Sequence, residues 1–225
     1  ACNGSGKGKI RSAGGFSRPR LSGKGTALAR IIWHGCRDRM GTILMKRLTL
    51  LRHAKSGWDD PVARDFDRGL NDRGRRAAQV IGDHAGTLAL GVDTIVASPA
   101  VRVGETLDMV LPAAGLDALE PHWDRRIYLA SSATLIDVLR ELPDSAQHVL
   151  MAGHNPGMED LILELVADDG SSPLRAEAEI KFPTAALATI DLAIDQWSAI
   201  STPCGTLTQF IRPRDLDPEL GPEED

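Results

Sequence analysis

The chain has 225 residues, 42% of them hydrophobic and 25% charged. That suits one globular domain with an extension and excludes collagen-like, low-complexity and wholly disordered chains. Its formal net charge of -5 is unevenly divided, because residues 1–44 carry +8 and the remainder -13. A body this acidic is a poor nucleic-acid binder, since phosphate contacts need clustered cations. Three cysteines, Cys2, Cys36 and Cys204, are too scattered for a disulfide framework or a CxxC zinc site. No apolar run approaches a membrane span. A reduced, cytoplasmic protein with neither a nucleic-acid nor a membrane partner is the expectation.

Gly, Ser, Lys and Arg dominate the first 25 residues. Such a stretch cannot bury enough apolar surface to offset its ordering entropy. Residues 1–44 therefore read as a disordered basic extension. A basic arm for an anionic partner and an Arg-rich targeting peptide are two functional readings. The plainer one is a natural start at Met45, which leads straight into a strand. From there the expected domain runs over residues 45–214, with an acidic tail over 215–225.

Leu48-Thr-Leu-Leu51 is a short apolar run that ends in Arg52-His53 and reads as a buried strand. A polar loop follows, from Lys55 to Arg68. Asn71 is placed to cap a helix running to Ala89, with Ala77, Ala78, Ile81, Ala85 and Leu88 on one face. Asp93 to Ala97 is the second strand. Ser98-Pro99 predicts a helix start, Ser as the cap and Pro at the first helical position. Val103, Leu107, Val110 and Leu111 are the buried stripe of that helix. Leu135, Val138, Leu139 and Leu142 mark another. Val149 to Ala152 is a third strand, and Asn155-Pro156 repeats the cap-plus-proline pattern. Later strands are predicted at Ala185–Asp191 and Gln196–Ser201. Strands alternating with helices predict an α/β fold, a three-layer α/β/α sandwich around a mostly parallel central sheet.

Three strand ends share one chemistry. Arg52 and His53 follow the first strand, Arg102 lies in the first helical turn after the second, and His154 follows the third. In open α/β sheets, ligands bind outside the carboxyl ends of the strands. Helix N-termini there attract anions, and the planar fork of Arg donates two parallel hydrogen bonds to phosphate. Two Arg and two His at one sheet edge predict a phosphate site inside an acidic domain.

These segments resemble the histidine phosphatase superfamily, with its phosphoglycerate-mutase-like fold. The resemblance rests on Leu51-Arg-His-Ala54, on Ser98-Pro-Ala-Val-Arg102 with Glu105-Thr106, and on Ala152-Gly-His-Asn-Pro156. Asp67-Arg-Gly-Leu70, Asn71-Asp-Arg-Gly74 and Lys181-Phe-Pro-Thr-Ala-Ala186 look most like its small SixA branch, the phosphohistidine phosphatases. The resemblance covers residues 45–214. It implies that His53 attacks phosphorus and carries the phosphoryl group, while Arg52, Arg102 and His154 hold the equatorial oxygens. One His must then be neutral to attack, and the other gains from positive charge beside phosphate. No metal or other cofactor is implied.

Some positions depart from the family pattern or extend it. Ala54 stands where a Gly is usual. Lys55 is either a substrate contact or a solvated loop charge. Trp58 either walls the pocket or packs in the core, and Arg68 is a further candidate substrate contact. Asp124 and Glu120 are candidates for the acidic proton donor many members supply, or ordinary surface carboxylates. Arg102 and His154 lie 52 positions apart, too few to include a large lid. An open site admits a phosphorylated protein or a small phosphate ester. The expected activity is therefore that of a metal-independent phosphatase, first of all a protein phosphohistidine phosphatase of SixA type. A phosphomonoesterase acting on sugar or nucleotide phosphates is the alternative, followed by a non-catalytic phosphate-binding module.

Overall fold

The computed structural model describes residues 45–57 and 64–221. The readings of residues 1–44 and of Trp58 lie outside them, as do the last four residues of the acidic tail. Six strands form one sheet: β1 (Lys46–Arg52), β2 (Thr94–Ala97), β3 (His122–Trp123), β4 (His148–Gly153), β5 (Leu187–Leu192) and β6 (Gly205–Ile211), in the order β3-β2-β4-β1-β5-β6. β1, β2, β3 and β4 pair in parallel. β5 is antiparallel to both of its neighbours, so five strands run one way and one runs against them. The α/β sandwich expected from the sequence is present, with a mostly parallel sheet.

Alternation along the strands builds two cores. Leu48 and Leu50 of β1, Val96 of β2 and Val149 and Met151 of β4 face one side. Leu51, Ile95, Ala97, Leu150 and Ala152 face the other. Two helices cover this second side: α1 (Asp72–Leu88), through Ala77, Ala78, Ile81 and Ala85, and α2 (Val101–Ala113), through Val103, Leu107 and Val110. On the first side lie α3 (Ser132–Arg140), α4 (Gly157–Leu165) and α5 (Pro173–Ile180), through Leu135, Leu139, Leu161, Ile162 and Ala178. Strands buried on both faces read as continuous apolar runs, which is why β1 and β4 stand out in the sequence.

The cap of α1 is as expected, with the Asn71 side chain accepting from Gly74 N at 2.8 Å. The other two caps are corrections. Helix α2 begins only at Val101 and its N-cap position is Ala100, with no side-chain cap; the Ser98 hydroxyl accepts from Ala100 N at 3.4 Å ahead of the helix. At α4 the cap position is Pro156, and the Asn155 side chain donates to Glu159 and to the Phe182 carbonyl, each at 3.0 Å. Both polar side chains lie at strand exits, where each also finds a partner far away in the chain, His154 for Ser98 and Phe182 for Asn155.

The predicted strand at Gln196–Ser201 is also a correction. Residues 197–199 form a 3-10 turn that buries Trp197, whose indole donates to the Ala146 carbonyl at 2.9 Å. The strand comes later, at β6. A bulge between Thr189 and Ile190 in the pairing of β5 with β6 makes Gln209 and Leu207 the successive partners on β6. Its buried apolar side chains, Leu207 and Phe210, are therefore three apart, and the period of two that marks a strand is lost. Helix α5 had no counterpart in the predicted elements, although Ser172-Pro173 carries a cap and a proline at its start. Within the described part of the acidic segment, residues 215–221, two side chains tie it to α1. Asp217 and Glu219 pair with Arg76 of α1 at 2.7 and 2.6 Å, and Arg73 donates to the carbonyls of Glu219 and Gly221.

Candidate active site

The carboxyl ends of β1, β2 and β4 lie side by side, and the loops leaving them bring His53, Arg102 and His154 together. β1 ends at Arg52, whose pairing with Gly153 closes the β1–β4 ladder. The next residue, His53, still donates its backbone N–H to the Gly153 carbonyl at 3.1 Å. His53 and His154 follow adjacent strand ends, and their ring centroids are 5.1 Å apart. The loop after His53 is held from two sides. Ala54 N donates to Thr106 Oγ1 at 3.0 Å, and Asn71 N donates to the Lys55 carbonyl at 3.1 Å. A Cβ at Gly74 would overlap that same carbonyl, so the start of α1 can approach the loop only with glycine there. Glu105 accepts from Leu70 N at 2.7 Å. Glu105 and Thr106 thus brace the loops around the site.

Hydrogen-bond partners fix the two imidazoles. His53 Nδ1 lies 2.7 Å from the Ala54 carbonyl. A carbonyl only accepts, so Nδ1 carries the proton and Nε2 has the lone pair. Arg102 Nη2 lies 3.3 Å from His154 Nδ1. A guanidinium only donates, so His154 is protonated on Nε2, which donates to Ser98 Oγ at 2.8 Å. Ser98 is thereby the orienting partner of His154 rather than a helix cap.

Burial, then the charges of Arg102 and Arg52, push His53 down to about 4. Burial, His53 and Arg102 push His154 down to about 3. Both rings are neutral at pH 7 in the free site. That matches the need of a nucleophile. The expectation of a cationic partner concerns the phosphate-bound site, because a charge on His154 has no anion to face until phosphate arrives.

Arg102 is 3% exposed. Its Nη2 lies 3.0 Å from Asp65 Oδ2, and Nη1 donates to the Asp65 carbonyl. Tyr128 OH donates to the same carboxylate at 2.7 Å, and its ring meets His154 edge-on at 5.3 Å. The Tyr128 hydrogen bond, then Arg102 and Arg68, hold the Asp65 carboxyl down at about 2. Asp65 and Tyr128 are site residues that the sequence reading missed. Tyr128 is the sole tyrosine of the chain, but nothing in its neighbourhood announces an arrival beside His154.

Arg52 Nη1 donates to the Phe182 carbonyl at 2.6 Å, while its Nε is buried with no hydrogen-bond partner among the described residues. Arg68 donates to the Gly57 carbonyl, Asp65 Oδ1 and Ser56 Oγ, each at 2.9 Å. These bonds tie Arg68 into the loop after β1. Asp124 caps the turn at residues 125–127 and pairs with Arg126 at 2.7 Å. That hydrogen bond holds its carboxyl below the usual range, contrary to the needs of a proton donor, and Glu120 is exposed. Lys55 is exposed at the mouth of a neighbouring cavity. Among the described residues no group of three or more His, Cys, Asp or Glu side chains is arranged to hold a metal. None of their helices is long and apolar enough to cross a membrane.

The family model of the histidine phosphatase superfamily (branch 1) matches residues 48–127. The crystal structure of SixA from Agrobacterium tumefaciens superposes with a TM-score of 0.63 at 32% identity, over 75% of this chain and 98% of that one. The chain belongs to the histidine phosphatase superfamily, in its SixA-like branch. An uncharacterized protein of Mycobacterium tuberculosis is 32% identical over 165 residues, covering 73% of this chain and all of that protein. A SixA structure complexed with tungstate shares the fold, with a TM-score of 0.58 at 22% identity over 76% of this chain and 99% of that one. The protein is thus a SixA-like phosphohydrolase with a phosphoglycerate-mutase-like fold.

Proposed function

We propose that this SixA-like phosphatase moves a phosphoryl group from phosphohistidine on a protein to His53, and from His53 to water. The observation that carries the proposal is the state of His53. Its Nδ1–H is committed to the Ala54 carbonyl, and its low proton affinity leaves Nε2 free to attack at neutral pH. Arg52, Arg102 and His154 are the groups that would hold the equatorial oxygens, where electrostatic stabilisation supplies most of the rate. In the first step the Nε2–P bond forms as the substrate N–P bond breaks. The leaving imidazole keeps the proton it carried and departs neutral. In the second step water adds to phosphorus, the His53 N–P bond breaks, and orthophosphate takes up the proton that water loses.

The charge state of the nearby carboxyls favours an N–P substrate over an alkyl ester. An alkoxide needs a proton from a general acid. Asp65 and Asp124 are both held ionised, so neither supplies one. Transfer by this route also needs no metal. The test is a panel of phosphohistidine protein, phosphoramidate and sugar or nucleotide phosphates, run with and without EDTA, with trapping of labelled enzyme. The expected result is fastest turnover of the N–P substrates, label on His53 and indifference to EDTA. Preference for alkyl esters, or label on another residue, overturns the proposal.

A further inference from the structure

Arg102 and Tyr128 share one acceptor. Arg102 Nη2 lies 3.0 Å from Asp65 Oδ2, and Tyr128 OH donates to the same oxygen at 2.7 Å. The charge of that carboxylate acts on both His53 and His154. A negative oxygen is thus held beside the two imidazoles by two donors, Arg102 and Tyr128. Both hydrogens of Arg102 Nη2 are taken, one by Asp65 and one by His154 Nδ1. A phosphoryl group arriving beside His154 therefore competes with Asp65 for this nitrogen.

The two sides of that contact differ in freedom. The Asp65 side chain is 43% exposed and the Arg102 side chain 4%. The Asp65 backbone carbonyl also accepts from Arg102 Nη1, so the carboxylate can turn to water while the guanidinium stays. Tyr128 is held as well. Its ring meets His154 edge-on at 5.3 Å and Phe66 edge-on at 5.0 Å. Burial, then the Asp65 carboxylate, push its hydroxyl above the ordinary value of 10, so it keeps its proton at pH 7. Once Oδ2 leaves, that proton points at the place where the carboxylate oxygen was, and a donor left without an acceptor is costly.

We propose that Tyr128 is a further catalytic residue, whose hydroxyl donates to the phosphoryl oxygen that takes the place of Asp65 Oδ2. No proton is transferred in this contact. The charge of the transferring group is spread over its equatorial oxygens, and a donor already in place stabilises it without reorganisation. Asp65 is the stand-in that keeps Arg102 and Tyr128 aimed at one point before substrate arrives. The inference rests on phosphoryl transfer at His53.

The experiment is a double-mutant cycle. Tyr128→Phe keeps the ring and removes the hydroxyl. It is made in the wild type and in Asp65→Ala, and kcat and KM are measured with phosphoramidate. A hydroxyl that serves to hold Asp65 has nothing left to hold in the Asp65→Ala background. A hydroxyl that meets the phosphoryl group still matters there, and its removal should lower kcat/KM at least about tenfold, as for a hydrogen bond to a charged oxygen, with most of the loss in kcat. A change within about twofold in that background overturns the proposal. A second measurement leaves Tyr128 in place. It is the sole tyrosine of the chain, so the full chain grown with 3-fluorotyrosine carries one fluorine resonance. Vanadate should shift that resonance in the wild type, and an unmoved resonance overturns the proposal even where a variant fails to fold. If the wild type turns over no phosphorylated substrate, the proposed function fails by itself, and vanadate binding decides the role of Tyr128. The double variant should then bind vanadate at least about tenfold more weakly than Asp65→Ala does. Equal affinities overturn the proposal.

Discussion

Strand β4 has a histidine at each end, and only one of them belongs to a site. His148 opens the strand and is 6% exposed; His154 follows its last residue and is 2% exposed. Burial lowers the proton affinity of both. The surroundings differ. His148 lies 2.8 Å from Thr49 Oγ1, which in turn meets Thr189 Oγ1 at 3.1 Å. The Thr49 hydroxyl partners its Nε2 and the Leu90 backbone also bonds the ring. His154 faces Arg102, His53 and Tyr128. A depressed histidine is thus no sign of chemistry in itself. The carboxyl end of a parallel sheet is where loops from neighbouring strands converge, and convergence separates the two residues.

The sharpest way to break this comparison is substitution on both sides of it. His53→Ala should cost at least about 10³-fold in kcat, as expected when a nucleophile is removed. His148→Ala should keep kcat/KM within about threefold while losing ~1–3 kcal/mol of stability through its buried hydrogen bond. Steady-state kinetics and thermal unfolding of the two variants check this. Equal losses of activity would dissolve the distinction.

Arg102→Ala should reduce kcat by about 10²-fold or more, because the transferring group loses a preorganised donor. Should KM alone rise, Arg102 serves binding and not the transition state.

The pH profile offers a subtler check. His53 and His154 lie near 4 and 3 in the fold, against an ordinary value of 6.5. The free-enzyme limb of kcat/KM for an N–P substrate should therefore fall only as pH drops toward about 4, with no inflection from the enzyme near 6.5. Stability has the same sign. Between pH 6.5 and about 4 the unfolded chain takes up protons on these residues that the folded one refuses, so stability declines as pH falls through that window. Acid titration of unfolding free energy reads this. A His53 limb near 6.5 would show that burial does not set its state.

Asp65 lends the site an anion where phosphate must come, held by Arg102 and Tyr128. Asp65→Ala should tighten inhibition by orthophosphate or vanadate about fivefold, equivalent to ~1 kcal/mol for a buried guanidinium paired with a carboxylate that is 43% exposed. Weaker inhibition would mean that Asp65 chiefly holds Arg102 in place. The smallest effect belongs to Asp124→Asn. It should change kcat with phosphoramidate by less than about twofold, within the range of ordinary surface changes. A large loss would restore Asp124 as the proton donor.

Residues with local partners were the legible ones. The Asn71 cap and the apolar face of α1 follow from spacing, and so do the buried runs of β1 and β4, because both the cause and the effect lie within a few residues. Ser98 and Asn155 have the same cap chemistry as Asn71, yet their side chains go to His154, and to Glu159 and the Phe182 carbonyl. A partner 56 positions away is invisible to local rules. β6 escaped because its bulge shifts the phase of its apolar residues.

The sequence by itself determined the α/β alternation, the strand-end positions of Arg52, His53, Arg102 and His154, and the family resemblance they carry. Each of these depends on residue type and short spacing. The tertiary structure decided that both histidines are neutral in the free site and that Asp65 and Tyr128 stand beside Arg102. It also decided that Arg68 braces a loop. Those outcomes depend on which groups long-range folding brings within about 3 Å of one another, where hydrogen bonds form and where burial sets the strength of charge.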